Sequence, residues 1–233
     1  MIIKVKNFIN NIFFKLGYRI SKINNSHELF KIHKYDNYDD YKNTQTFYNK
    51  KKIHHVWADE ENLIKICNFI KKNVLKDNIK GICHGSRNGF EQKIIKQNIN
   101  NSEIIGTDIS ENATEFKNTF VWDFHEEKKE WIDFFDFVYT NSLDQSYDPR
   151  KALEIWLNQI KINGYIFIEH SEQHGVLASG KMDPFGVEAN FFPYLLSDWF
   201  GHKISISIIK SIKKNKQNAP VWFFVLKKNS SNY

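Results

Sequence analysis

Cysteine is scarce in this chain: Cys67 and Cys83 are the only two, 16 positions apart. Without a Cys-x-x-Cys spacing, neither a disulfide framework nor a structural zinc site is expected, and a reducing cytoplasm fits. Long apolar runs are missing too. The N-terminal MIIKVKNFINNIFFKLGYRISKI is interrupted by Asn10, Asn11 and Lys15, and no small-residue cleavage site follows. It therefore reads as neither a signal peptide nor a transmembrane span. A Gly-x-Gly-x-x-Gly run is absent, which removes the fingerprint of a nicotinamide-binding domain. Basic residues form no Arg-rich stripe, and no recognition module is appended, so nucleic acid is not the expected partner.

What is present suffices for one domain with a sizeable core: 233 residues, 41% hydrophobic and 15% aromatic. The formal net charge of +6 favours an anionic partner, yet Lys, Asn and Ile are abundant everywhere, and charge alone selects none. In residues 2–20, Ile2, Val5, Ile9, Ile12, Phe13, Leu16 and Ile20 recur at helical spacing beside Lys4, Lys6, Lys15 and Arg19. Such a basic amphipathic helix is expected to cap a core or a homodimer contact, without stable membrane insertion. Residues 24–56 are polar and tyrosine-rich (Tyr35, Tyr38, Tyr41, Tyr48) with no clear period, and read as a long ordered loop or short helices placed to close over a site. The expected division is an extension over 1–57 and a catalytic domain over 58–233.

From Asp59 the pattern becomes regular. DEENLIKICNFIKKNVL puts Leu63, Ile66, Cys67, Ile70 and Val74 on one helical face, with acids in the first turn. IKGIC, EIIGTDI, FDFVYTN and GYIFIEH follow as four short apolar runs separated by helical or loop segments, which is the alternation of a doubly wound α/β sheet. The tail breaks the rhythm. KISISIIKSI and VWFFVLKK form two strands joined by a lysine-rich turn, an antiparallel hairpin on a mostly parallel, Rossmann-like sheet.

The first strand runs into GICHGSRNGFE, where Gly85 and Gly89 flank Ser86, Arg87 and Asn88. Asp108 lies 23 positions after Gly85, a distance that accommodates one helix and one strand, and VWDFHE supplies Asp123. Together with the terminal hairpin, this order resembles the class I S-adenosylmethionine-dependent methyltransferases from about residue 59 to 228, and more narrowly bacterial enzymes that tailor capsular and other surface polysaccharides. The resemblance implies a seven-stranded sheet with an N-terminal helical extension and S-adenosylmethionine as cofactor. It also implies a cofactor site of Cys83, His84, Gly85, Ser86 and Arg87 in the glycine turn, Asp108 and Ile109 at the ribose, Asp123 and Phe124 at the adenine, and Asn141 and Ser142 after the fourth strand. Cys83 stands where the family has its first glycine, and Gly89 comes two positions late for the third.

The implied reaction is methyl transfer to an oxygen or nitrogen of a small polar, anionic acceptor such as a sugar or nucleotide-linked glycan precursor. The Asn/Asp-Pro-Pro-aromatic signature of enzymes acting on base amines is missing, since Asn141-Ser142-Leu143-Asp144 stands there. A hydroxyl acceptor needs a base. His170 is the expected one, oriented by Asp144 or Glu169, with Tyr147, Glu169 and His174 lining the acceptor. No metal is assigned, because the spacing of Asp144, Glu169, His170 and His174 matches no metal signature. ASGKMDPFGVEANFFPYLL, with Asp183, is expected on the acceptor side or in packing. An RNA- or protein-methylating enzyme and a non-catalytic cofactor-binding module remain the alternatives.

Overall fold

The computed structural model describes residues 28–211 and 220–230; the helix expected over residues 2–20 and most of the lysine-rich turn lie outside them. In chain order the main elements are β1 (Phe30–Ile32), α1 (Tyr38–Lys51), α2 (Glu60–Asn73), β2 (Ile79–His84), α3 (Phe90–Asn98), β3 (Ser102–Asp108), β4 (Thr119–Val121), β5 (Phe135–Thr140), α4 (Pro149–Gln159), β6 (Ile160–Ser171), β7 (Phe185–Val187), α5 (Phe192–Phe200), β8 (Ile204–Lys210) and β9 (Val221–Lys228). Seven strands form one sheet in the order β4-β3-β2-β5-β6-β9-β8, and β1 pairs with β7 in a separate two-stranded sheet. β9 runs antiparallel to both of its neighbours, while the pairs from β4 through β6 are parallel. This is the mixed sheet of the class I methyltransferase fold.

Alternation along the strands builds two cores. Val138, Ile166, Ile168 and Phe224 face α4 and α5, where Trp156, Leu153, Phe192 and Leu196 fill one side. Phe137, Tyr139, Phe167 and Phe223 face α2 and α3, meeting Leu63, Ile66, Ile70 and Ile95. Each such side chain, removed from water, stabilises the fold by about 1.5–3 kcal/mol. Every residue of β5 is buried, which explains its unbroken apolar reading in the sequence.

α2 starts where its signals lie: Asp59 accepts from the amides of Glu61 and Asn62 at its N-terminus, and Leu63, Ile66, Cys67 and Ile70 are buried. Within the segment 24–56, expected to be a long ordered loop or short helices, α1 occupies residues 38–51. Asn37 caps it by accepting from the amide of Asp40, acids occupy its first turn and lysines its last. Its buried residues are Tyr41, Thr44, Gln45 and Asn49, a helical spacing filled by polar and aromatic side chains. Hydropathy does not register such a face. β1 and α1 also fasten the segment before the regular sheet onto the rest of the chain: the His33 amide donates to the Pro184 carbonyl at 2.7 Å and the Glu188 amide to the Leu29 carbonyl at 2.9 Å. Among the described residues, no helix is long and apolar enough to cross a membrane.

Candidate active site

Parallel strands deliver their carboxyl ends to one edge of the sheet, where open α/β folds bind ligands. Gly85 follows β2, Asp108 ends β3, Asp123 follows β4 and Asn141 follows β5. Among these strand ends lies a narrow cleft lined by Gly85, Asp108, Ile109, Asp123, Phe124, Gln145 and, from α1, Tyr41, Gln45 and Asn49.

Gly85 has φ +68°, and a Cβ there would stand 2.5 Å from Cβ and 2.6 Å from Oγ of Ser142. Both the left-handed backbone and the close approach demand glycine. Ser142 closes this contact by donating from Oγ to the Gly85 carbonyl at 3.2 Å. Arg87 continues the turn at φ +46°. Its amide donates to Asp108 Oδ2 at 3.1 Å, its guanidinium reaches the His55 carbonyl at 3.3 Å, and its Nε has no partner. Behind the turn, Ser86 is buried against β3 and its amide donates to the Thr107 carbonyl at 2.9 Å.

Asp108 is buried and accepts three hydrogen bonds: Arg87 N on Oδ2, and Ser110 N at 2.9 Å and Asn49 Nδ2 on Oδ1. Burial nevertheless pushes its pKa above the usual carboxylate range, against those hydrogen bonds. Asp123 also accepts three, from Tyr38 Oη at 2.7 Å, from His125 N at 2.9 Å and from His125 Nδ1 at 2.7 Å. Burial acts upward there too, but the His125 and Tyr38 contacts outweigh it and hold the carboxyl below its ordinary value. His125 is fully buried and its Nε2 meets Ser146 Oγ at 2.7 Å. Tyr147 packs on His125 with ring centroids 4.2 Å apart and on Tyr41 at 4.6 Å, so it stands at the Asp123 end of the cleft.

Two residues expected at the cofactor turn present no side chain to it. Cys83 belongs to the core facing α2 and α3. His84 is stacked on Trp156 at 5.0 Å, and its ring nitrogens are occupied by Thr107 Oγ1 and Gln159 Oε1, each at 2.8 Å. Burial lowers its pKa to about 4, so it is a neutral core histidine. Conversely, Glu91 on α3, not singled out from the sequence, is brought against Asn141. It is buried, Asn141 Nδ2 donates to its Oε1 at 3.3 Å, and its Oε2 has no partner. Burial raises its pKa to about 7.

The residues expected at the acceptor separate into two faces. His170 and Glu169 are adjacent on β6, and the period of two sends their side chains to opposite sides of the sheet. Glu169 accepts from Tyr139 Oη at 2.6 Å on the α2–α3 side, and burial raises its pKa to about 7. It therefore neither orients His170 nor shares a ligand with it. On the other side, His170 lies against Phe192 and Phe224, and its ring centroid is 5.3 Å from that of His174. Burial holds the His170 pKa well below 6.5, a backbone bond ties it to Val187, and Nε2 has no partner. His174 Nε2 is 3.7 Å from Asp144 Oδ2, with side-chain exposures of 23% and 12%, making this pair more accessible than His170 at 4%. Burial raises Asp144 to about 7 and lowers His174 to about 4. Asp183 sits close enough for Asp144, after burial, to help raise it to about 6. Lys52 lies beside this group, its Nζ 3.0 Å from Met182 Sδ. Among the described residues, no three His, Cys, Asp or Glu side chains are arranged to hold a metal ion.

No protein-family model matches the chain, and no curated protein matches it in sequence. Solved structures do resemble it. The Burkholderia thailandensis 1,6-didemethyltoxoflavin-N1-methyltransferase, bound to 1,6-didemethyltoxoflavin and S-adenosylhomocysteine, superposes with a TM-score of 0.62 at 12% identity, over 84% of this chain and 92% of that one. The plantazolicin methyltransferase BpumL with S-adenosylhomocysteine gives 0.59 at 12% identity, over 82% and 96%. The [4+2]-cyclase SpnF gives 0.55 at 11% identity, over 72% and 81%. At such identities the likeness is one of fold.

Proposed function

We propose that the protein is an S-adenosylmethionine-dependent methyltransferase acting on an oxygen or nitrogen of a small polar acceptor. One observation carries this reading: a glycine turn whose Cβ position is filled by Ser142 shares a single cleft with Asp108 and Asp123, each at the end of its own strand. The chemistry of the lining suits the cofactor. Asp108 matches a ribose diol and Asp123 and Phe124 match an adenine, while outside the lining the unpartnered Arg87 Nε and Glu91 Oε2 suit the carboxylate and ammonium of an amino-acid tail. When bound, the cofactor supplies a methyl group on a sulfonium, a good leaving group.

The chain's own residues then have to align the acceptor, keep water out and, for a hydroxyl, remove a proton. In this reading His174 takes the proton, since it faces Asp144 and is more accessible than His170. In its ionised form Asp144, 3.7 Å away, would stabilise the imidazolium that forms. His170 packs edge-on against His174 and fixes its ring. A sugar or nucleotide-linked glycan precursor is the acceptor class we favour, on the sequence resemblance. The fold also supports other chemistry in SpnF, so the test has two parts. Calorimetry with S-adenosylhomocysteine is expected to show binding, and a labelled methyl donor is expected to mark a small acceptor. Binding without transfer to any small molecule, RNA or protein would favour a non-catalytic module.

A further inference from the structure

The polar atoms of Asn49 are unequally used. A carboxylate only accepts hydrogen bonds, so the carboxamide of Asn49 has to turn its Nδ2 toward Asp108 Oδ1. Its own Oδ1 is thereby directed elsewhere, where it is buried and meets no donor. Buried side-chain carbonyls rarely lack a partner, and one beside a binding cleft marks the place of a ligand donor. Asn49 lines the same cleft as Asp108, Ile109 and Gly85. Asp108 itself is unevenly loaded: Oδ1 already receives Ser110 N and Asn49 Nδ2, whereas Oδ2 receives only Arg87 N. One lone pair on Asp108 Oδ2 and both on Asn49 Oδ1 are left over.

We infer that Asn49 is the second half of the receptor for the cofactor's ribose: Asp108 Oδ2 accepts one hydroxyl of the diol and Asn49 Oδ1 accepts the other. This rests on the cofactor reading above and extends it to α1, outside the strand-end positions. With Asn49 Nδ2 and Ser110 N both on Oδ1, the carboxylate keeps one lone pair, on Oδ2, and can take one hydroxyl. The carboxylate–carboxamide pair gives each hydroxyl its own acceptor, and the Nδ2 contact fixes their spacing.

The test uses S-adenosylhomocysteine and its 2′-deoxy and 3′-deoxy analogues, titrated by calorimetry into the intact protein and into Asn49→Ala and Asn49→Ser. Alanine suits a helix interior, and thermal melting of each variant checks that it folds. For S-adenosylhomocysteine the expected loss in Asn49→Ala is about tenfold. One of the deoxy analogues should bind the variant and the parent protein within about twofold of each other, because the hydroxyl that Asn49 accepts is gone from it. Asn49→Ser, with a shorter acceptor, should fall between. Equal losses for all three ligands would overturn the inference, since Asn49 would then act only by placing Asp108. Unchanged or tighter binding of S-adenosylhomocysteine by Asn49→Ala would overturn it as well, showing that the ligand displaces the side chain. Failure of the parent protein to bind S-adenosylhomocysteine would remove the cofactor reading itself, and this inference with it.

Discussion

The cleft and the Asp144–His174 group next to its Gln145 wall are built differently. In the cleft, the Asp108 and Asp123 carboxylates each already accept three hydrogen bonds from backbone, His125, Tyr38 or Asn49. Toward the Asp144–His174 pair, Asp144 Oδ1 and His170 Nε2 are buried without partners; around the cleft the unpartnered atoms, Asn49 Oδ1, Arg87 Nε and Glu91 Oε2, stand beside carboxylates that are already hydrogen-bonded. A pre-bonded site presents fixed geometry and binds with little reorganisation, whereas buried groups without partners cost the apo protein stability that a fitting ligand restores. The first arrangement suits a ligand common to every turnover, the second one whose arrival completes the site.

Breaking the cleft should have the largest effect. Gly85→Val drives a branched side chain into Ser142 from a φ of +68°, and S-adenosylhomocysteine binding is expected to drop by at least about a hundredfold. Circular dichroism and melting should show a folded protein; normal titration would place the ligand elsewhere. Asp108→Ala comes next, with a loss of about tenfold or more, since charge-assisted hydrogen bonds worth roughly 1.5–3 kcal/mol disappear. Its three donors are also left without their acceptor, so the melting temperature should fall with the affinity.

The Asp144–His174 group should respond the other way. Asp144→Asn is expected to leave S-adenosylhomocysteine affinity within about twofold while lowering turnover on a hydroxyl acceptor by about a hundredfold to ten-thousandfold. His174→Ala should behave alike and His170→Ala less severely; a larger loss from His170→Ala would return the base to β6. An amine acceptor would make all three optional.

Stability against pH sharpens the same contrast. Asp144, Glu91 and Glu169 are raised to about 7 from 3.8, 4.5 and 4.5. The folded protein keeps protons there that the unfolded chain releases, so their contribution is full below about pH 4 and is lost as pH rises toward 7. His84 and His174, lowered to about 4 from 6.5, act oppositely, with stability lost as pH falls from 6.5 toward 4. The two sets offset each other below pH 6.5, and only the acids act above it. Melting temperature of the apo protein should therefore decline between about pH 6.5 and 7.5, and Asp144→Asn should flatten that decline. An unchanged slope in the variant would mean that Asp144 is charged in the folded protein across this range. Tyr38→Phe is the mildest test, removing one of three donors to Asp123, with an expected weakening of adenosine-containing ligands of about twofold to fivefold.

The strands were legible because β2, β3, β5 and β6 are buried on both faces and read as apolar runs, and the glycine turn and Asp108 follow from their spacing. α1 was hidden by the composition of its buried face, although Asn37, Asp39, Asp40, Lys50 and Lys51 mark its ends. Those capping signals are the ones that would have revealed Asn49 and Tyr38. Glu169 and His170 look like neighbours in the sequence and are separated by the sheet. Glu91 could not be picked out from other surface-type acids until the helix following the glycine turn placed it beneath Asn141.

β1 pairs with β7, Tyr35 Oη donates to the Lys181 carbonyl at 2.6 Å, Gln45 Nε2 to the Met182 carbonyl at 3.0 Å, and Lys181 pairs with Asp40 at 2.9 Å. The helix lining the cleft and the segment carrying Asp183 are thus joined by a strand pair, two hydrogen bonds and an ion pair. In the proposed reaction, an acceptor that pushed on this segment before the donor was bound would also move α1, and with it the Asn49 contact to Asp108. Turnover is therefore expected to follow a compulsory order, donor before acceptor, with the demethylated product leaving last and inhibiting competitively against the donor but not against the acceptor.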